Sequence, residues 1–294
     1  MKRVVLFAAL LLLCASVSAQ SEAGWAIVEL SGCFVRNAPD YESGVDTQAR
    51  MGDVVLLLDK ERYWYNVQTP EPYQGWVTEL ALSVKTAEEI SAYRSAPKWI
   101  CTAEYTHVFE EPSLQAGRVC DFVMADVVRK TGESVPGWVG VMLPSGRQGW
   151  VEADAVADLG EWEDTRECTA GNVIALARKF LGVPYMWGGI SPKHFDCSGL
   201  VRFCFMMNGR QLPRDCSQQI KVGKAVPCEL SVMKPGDLLF FGDPHTGRPG
   251  HVGIYIGGGQ FIHASQLVRI SSLCSEAPDY YGGKPLIAVR RIVE

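Results

Sequence analysis

"FDCSGLVRFCFMMNG", residues 195–209, is the stretch whose reading decides the fold. Asp196 is a good helix N-cap and Gly209 a good helix stop, so the apolar run between them predicts a helix with Cys197 in its first turn. A thiol there sits beside unpaired amides at the positive end of the helix dipole, which predicts a pKa lowered towards the working pH. A buried structural cysteine would tolerate the same position. The segment alone leaves both readings open.

A nucleophilic cysteine needs an imidazole to take its proton and a third group to orient that ring. The chain has five histidines. His251 opens the strand-like "HVGIYIG", and His263 lies in "QFIHAS" beyond a triple glycine. If residues 257–259 form a three-residue loop, Ile256 faces Gln260, His263 faces Gly253, and both imidazoles share one face of the hairpin. A two-residue loop would put them on opposite faces. The triple glycine favours the longer, bulged loop, and Gly253 leaves room beside His263. His107, His194 and His245 have no such context and read as loop or surface residues.

Working outward, "TAGNVIALARKFLG" from Thr169 has apolar residues at helical spacing, with Gly182 and Pro184 ending the element. "VPYMWGG" follows as a glycine-closed aromatic loop. Later, "KPGDLLFFG", "HVGIYIGGGQFIHAS" and "PLIAVRRIV" alternate like strands of an antiparallel sheet. This half is α+β, helices first and sheet second.

The first half contains an internal repeat of about 73 residues: Pro39 matches Pro112, "GDVVLL" matches "ADVVRK", and "QGWV" recurs at Gln74 and Gln148. Each copy has short runs rich in Val, Tyr and Trp, broken by Gly, Pro, Asn and Asp, the pattern of a small all-β barrel. Trp76 and Trp150 read as core aromatics of those barrels. Between the copies, "KTAEEISAYRSAP" reads as a polar linker with room for a helical turn.

Residues 1–19 read as a secretory signal peptide, with Lys2 and Arg3, an apolar run over residues 4–13, and Val17, Ser18 and Ala19 as a small-residue cleavage site. That run is too short for the roughly 18 apolar residues of a membrane span. Cys14 is an alternative lipid-acceptor position, although the bulky Leu13 before it is unfavourable. Removing Lys2 and Arg3 would take the formal net charge from -5 to -7, which argues against nucleic acid as a partner. Ten cysteines in an exported chain would permit disulfides, with connectivity open. No CxxC pair is present, so a metal site has little support, and nothing calls for a cofactor. Cys204 reads as a small apolar core residue.

Taken in order, "PYMWGG", "FDCSGLV", "KPGDLLFF", "GHVGIYIG" and "FIHAS" closely resemble the motifs of the NlpC/P60 cysteine peptidases. The two repeats ending in Gly-Trp-Val resemble bacterial SH3-like domains. The resemblance implies a multidomain chain: two small all-β SH3-like barrels followed by an α+β, papain-like NlpC/P60 domain. Its boundaries are a signal peptide at 1–19, barrels at 25–84 and 99–160, a linker at 85–98 and the peptidase domain at 166–294.

By that resemblance Cys197 is the nucleophile, His251 the general base and acid, His263 the ring that orients His251, and Tyr185 a donor to the developing oxyanion. The order of domains most resembles gamma-D-glutamyl-L-diamino acid endopeptidases, which trim cell-wall peptides; those of them that act on short muropeptides require a free L-alanine amine. That similarity makes Asp215 of "LPRDCSQQ" the partner of the ammonium, Ser198 a substrate-binding residue and Tyr73 a contribution of the first barrel. Cys216 departs from the small residue usual after the aspartate. Glu42 is a candidate for an acidic companion in the first barrel. The expected partner is a peptidoglycan-derived peptide, acted on by an exported, periplasmic or extracellular monomer. Two rival readings remain: amidase or acyl-transfer chemistry on the same scaffold, and a non-catalytic peptidoglycan-binding protein.

Overall fold

The computed structural model of the chain describes residues 24–293. The signal-peptide reading and Cys14 lie outside the described residues. Two seven-stranded antiparallel sheets, built from residues 24–85 and 98–158, share one spatial strand order: third, second, sixth, fifth, fourth, first, seventh. The sequence repeat is therefore a repeat of topology.

The glycine of each Gly-Trp-Val motif marks the place where the sixth strand crosses the second. A Cβ on Gly75 would stand 2.6 Å from the Arg36 carbonyl oxygen, and one on Gly149 would stand 2.7 Å from that of Phe109. Strand alternation then sends Val77 and Val151 into the barrel interiors and leaves Trp76 and Trp150 half-buried on the other face. The expectation that these tryptophans are core residues is corrected.

The segment between the barrels forms a helix, Ala87–Ser95, closed by a reciprocal cap. Thr86 Oγ1 accepts from the Glu89 amide at 3.2 Å, and the Glu89 carboxylate accepts from the Thr86 amide at 2.8 Å. Ile90 and Tyr93 are buried, and the Tyr93 hydroxyl donates to the Gly52 carbonyl at 3.0 Å. The segment is packed against the first barrel.

In the last unit, Thr169 caps the helix Ala170–Lys179 and Asp196 caps the helix Cys197–Met207. A six-stranded antiparallel sheet follows, in the order Lys224–Val226, Leu286–Arg291, Leu238–Gly242, Pro249–Gly257, Gln260–Ser265 and Leu267–Ser272. Every residue from Ser198 to Met207 is buried, as expected of a helix that is apolar nearly all round. Gly209, at φ 91°, ends it: its amide bonds to Met206 O and the Arg210 amide to Phe205 O, a Schellman stop. Among the described residues no helix is long and apolar enough to cross a membrane.

The first barrel is tied to this unit by buried polar contacts. Arg202, the one charged residue of the buried helix, donates to the Leu212 carbonyl at 3.2 Å and pairs with Glu71. The Ile190 amide donates to Gln48 at 2.9 Å. Lys193 donates to the Ser31 carbonyl at 2.9 Å and pairs at 2.6 Å with Asp121 of the second barrel.

The start of the Cys197 helix is pressed against the loop before it, because a Cβ on Gly199 would stand 2.0 Å from the Gly189 carbonyl oxygen. Gly199→Ala is expected to lower the unfolding free energy by about 3 kcal/mol, read as a shifted urea midpoint. An unchanged midpoint would show that the helix start is not held this way.

Candidate active site

Cys197 occupies the first helical position, half-buried, beside Asp196. Asp196 is a hub. Its carboxylate accepts from the Gly199 amide at 2.7 Å and the Gly188 amide at 3.0 Å, and it forms a buried pair with Arg214. Arg214 also donates to the Ser198 hydroxyl at 3.1 Å and to Thr47 of the first barrel at 3.1 Å. One charge cluster thus sets the nucleophile's helix, the "PYMWGG" loop and the barrel's position.

The sheet brings the two histidines together. The loop is not the three-residue one expected: Gly257 pairs with Gln260 around a two-residue turn in which Gly258 and Gly259 have φ of 61° and 75°. A bulge between Tyr255 and Gly257 then absorbs Ile256, after which Tyr255 pairs with Phe261 and Ile254 with Ile262. The bulged residue takes the place of the missing loop residue, so the register beyond it is the one expected. Both rings fall on one face, with His251 Nε2 at 2.7 Å from His263 Nδ1. Gly253 makes room, since a Cβ there would stand 3.1 Å from His263 Cβ.

Two neighbours of this pair escaped the sequence reading. His263 Nε2 lies 3.0 Å from the buried Ser271 hydroxyl, and Tyr281 stacks on His251 with ring centroids 5.3 Å apart. Ser271 lies on the strand beside His263, two residues beyond its partner Arg269, so strand alternation held a signal for it. Tyr281 follows a loop, and no periodicity points to it.

Burial, joined by the nearby Lys284, pulls His251 down to about 4, and burial together with His251 pulls His263 down to about 3. Burial and the adjacent Asp196 push the Cys197 thiol up to about 11, against the pull of the Val252 and Ser198 amides. The expectation of a lowered thiol pKa is corrected: burial outweighs the helix terminus. The free site holds a neutral thiol and neutral imidazoles.

Cys197 opens into a cleft of about 240 Å³ whose walls include Tyr185, Ser198, Asp215, Cys216 and, from the first barrel, Asp46. The Tyr185 amide is held by the Gln266 carbonyl at 2.8 Å, and burial with Cys197 nearby pushes its phenol up to about 12, keeping it a donor. Tyr73 of the first barrel donates its hydroxyl to the Asp215 carboxylate. The Ser198 hydroxyl is already engaged by Asp196, at 3.3 Å, and by Arg214. Glu42 is exposed, and Asp46 is the first-barrel acid on the cleft wall. No histidine lines the cleft itself: His251 and His263 are buried, whereas His107 and His194 are half-buried and His245 is exposed. All nine described cysteines are free thiols, and Cys204 is fully buried.

Comparison with known proteins agrees with this architecture. The NlpC/P60 family model matches residues 182–290, and that of the bacterial dipeptidyl-peptidase Sh3 domain matches residues 35–82. A Bacillus cereus protein named gamma-D-glutamyl-L-lysine dipeptidyl-peptidase is 30% identical over 76% of this chain and 68% of the relative. One of the same name from Bacillus subtilis is 29% identical over 84% of this chain and 81% of the relative. The crystal structure of an NlpC/P60 family protein from Bacillus cereus superposes with a TM-score of 0.78 at 25% identity, covering 92% of this chain and 100% of that one. The chain belongs to the NlpC/P60 family and is a cysteine peptidase of the cell-wall type, with SH3-like barrels ahead of its catalytic domain.

If the neutral His251 accepts the thiol proton, kcat/KM should be flat across neutral pH, with flanks near about 4 and about 11 set by His251 and Cys197. Lys284→Met removes a charge that depresses His251, so the acid flank should move to higher pH in the pH–rate profile. A flank left in place would mean that Lys284 does not act on the base.

Proposed function

We propose that the protein hydrolyses the gamma-D-glutamyl to diamino acid bond of short cell-wall peptides with a free N-terminal L-alanine. The observation that carries this reading is a thiol in a cleft to which the first barrel contributes Asp46 directly and Tyr73 through its bond to Asp215. The relatives named for gamma-D-glutamyl-L-lysine support the choice of bond.

In this mechanism each ring of the pair carries its proton on Nε2. His251 then donates to His263, His263 donates to Ser271, and the free Nδ1 of His251 accepts the Cys197 proton. The sulfur attacks the glutamyl carbonyl carbon. Tyr185, with the Cys197 and Ser198 amides, receives the oxyanion, a contribution typically worth about 3 kcal/mol of barrier per donor. His251 returns the proton to the leaving amine, and a water activated by the same ring releases the acyl group from Cys197. Asp215, held by Tyr73, and Asp46 bind the alanine ammonium. Ser198 supports the site through Asp196 and Arg214. The sequence pattern of residues 1–19 supports an exported, periplasmic or extracellular enzyme.

L-Ala-gamma-D-Glu-L-Lys should give L-Ala-D-Glu and free lysine by mass spectrometry, and Cys197→Ala should abolish the reaction. Asp215→Asn should lower kcat/KM by about 10- to 100-fold on this peptide and leave little further effect when the alanine amine is acetylated. Full turnover by Cys197→Ala, or transfer of the acyl group to another acceptor as the main product, would reject the proposal.

A further inference from the structure

Asp46 and Asp215 line the Cys197 cleft, which is not an isolated space. Trp187, Arg248, Pro249 and Gly250 line both the Cys197 cleft and a second, larger hollow of about 690 Å³ that also includes Lys284. The two spaces therefore adjoin and share a wall. If the acyl half of the substrate lies against Asp46 and Asp215, the adjoining hollow offers room for the leaving half.

That hollow is basic. Arg248 and Lys284 are exposed, and among the described residues neither side chain has an acidic partner. The acid lining it, Asp243, is occupied by its own turn, accepting from the His245 amide at 2.9 Å and the Thr246 hydroxyl at 2.9 Å. Lys284 reaches the seam between the hollows: a Cβ on Gly250 would stand 2.2 Å from its Nζ. Trp187, 70% exposed, forms a wall shared by both spaces. Two cations that make no ion pair, facing a hollow whose one acid is engaged by its own turn, are a site for an anion carried by the substrate.

We propose that Arg248 and Lys284 bind a carboxylate of the leaving peptide, so that the enzyme selects free peptides whose leaving part ends in an unblocked carboxyl group. This rests on the gamma-glutamyl reading above. The cleft then recognises its substrate by both ends, the ammonium at Asp46 and Asp215 and the carboxylate at Arg248 and Lys284. Peptides whose leaving-side carboxyl group is consumed in a further amide bond lose one of the two anchors.

The test compares L-Ala-gamma-D-Glu-L-Lys with its C-terminal amide at pH 7.5, using the wild-type enzyme and an Arg248→Gln/Lys284→Gln double variant. The wild type should favour the free acid by about tenfold or more in kcat/KM, and the double variant should lose that preference, read as the acid-to-amide ratio so that any effect of Lys284 on His251 is common to both peptides. Both substitutions are at exposed positions, and the amide substrate reports whether the folded, active enzyme is retained. Equal wild-type rates on the two peptides, or an equal loss on both in the variant, would overturn the proposal. Cleavage of neither peptide by the wild type would overturn the gamma-glutamyl reading and this inference with it.

Discussion

The pair between Asp196 and Arg214 is the constraint on which the rest of the site depends. Both side chains are nearly inaccessible, and a buried charge is tolerated only when its partner and hydrogen bonds compensate the loss of water. Asp196 meets that condition by capping the Cys197 helix and holding the Gly188 amide, while Arg214 reaches Ser198 and Thr47. Removing either partner would leave the other buried and unpaired, so the nucleophile, its loop and the barrel wall are locked as one arrangement.

The first barrel is accordingly a component of the active site. Glu71 neutralises Arg202 in the buried helix, Gln48 caps the Ile190 amide, and Tyr73 orients Asp215. The loop containing Gly188 approaches the barrel so closely that a Cβ there would stand 2.9 Å from Val45 Cγ1. The barrel thereby forms part of the wall of the cleft that holds Cys197. The second barrel is joined through Lys193 and Asp121 and through Glu29, which accepts from Ser145 and pairs with Arg147 at 3.2 Å.

Electrostatics gives the cleft its direction. A neutral thiol and imidazole wait in a desolvated site, between an acidic wall and a basic hollow. In the proposed mechanism charge would be created only as the bond forms, beside groups the fold already holds in the cleft. The Ser271 contact fixes the His263 ring, and through it His251, without a buried carboxylate that would raise their pKa values.

Much of this was written locally in the chain. The Asp196 cap, the Gly209 stop, the repeated barrel and the shared face of His251 and His263 all follow from spacing, because capping, turn chemistry and strand alternation act over a few residues. Even the histidine register survived a misjudged loop, since the bulge at Ile256 restored the count. What the tertiary structure decided was what lies next to what across long separations. Asp46 and Asp215 in one cleft, Thr47 on Arg214, Tyr281 on His251 and Lys284 over Gly250 join segments whose sequences carry no record of each other. The thiol's raised pKa belongs to the same class: the helix terminus is local and legible, but desolvation is a property of the packed molecule, and in this protein it is the stronger of the two.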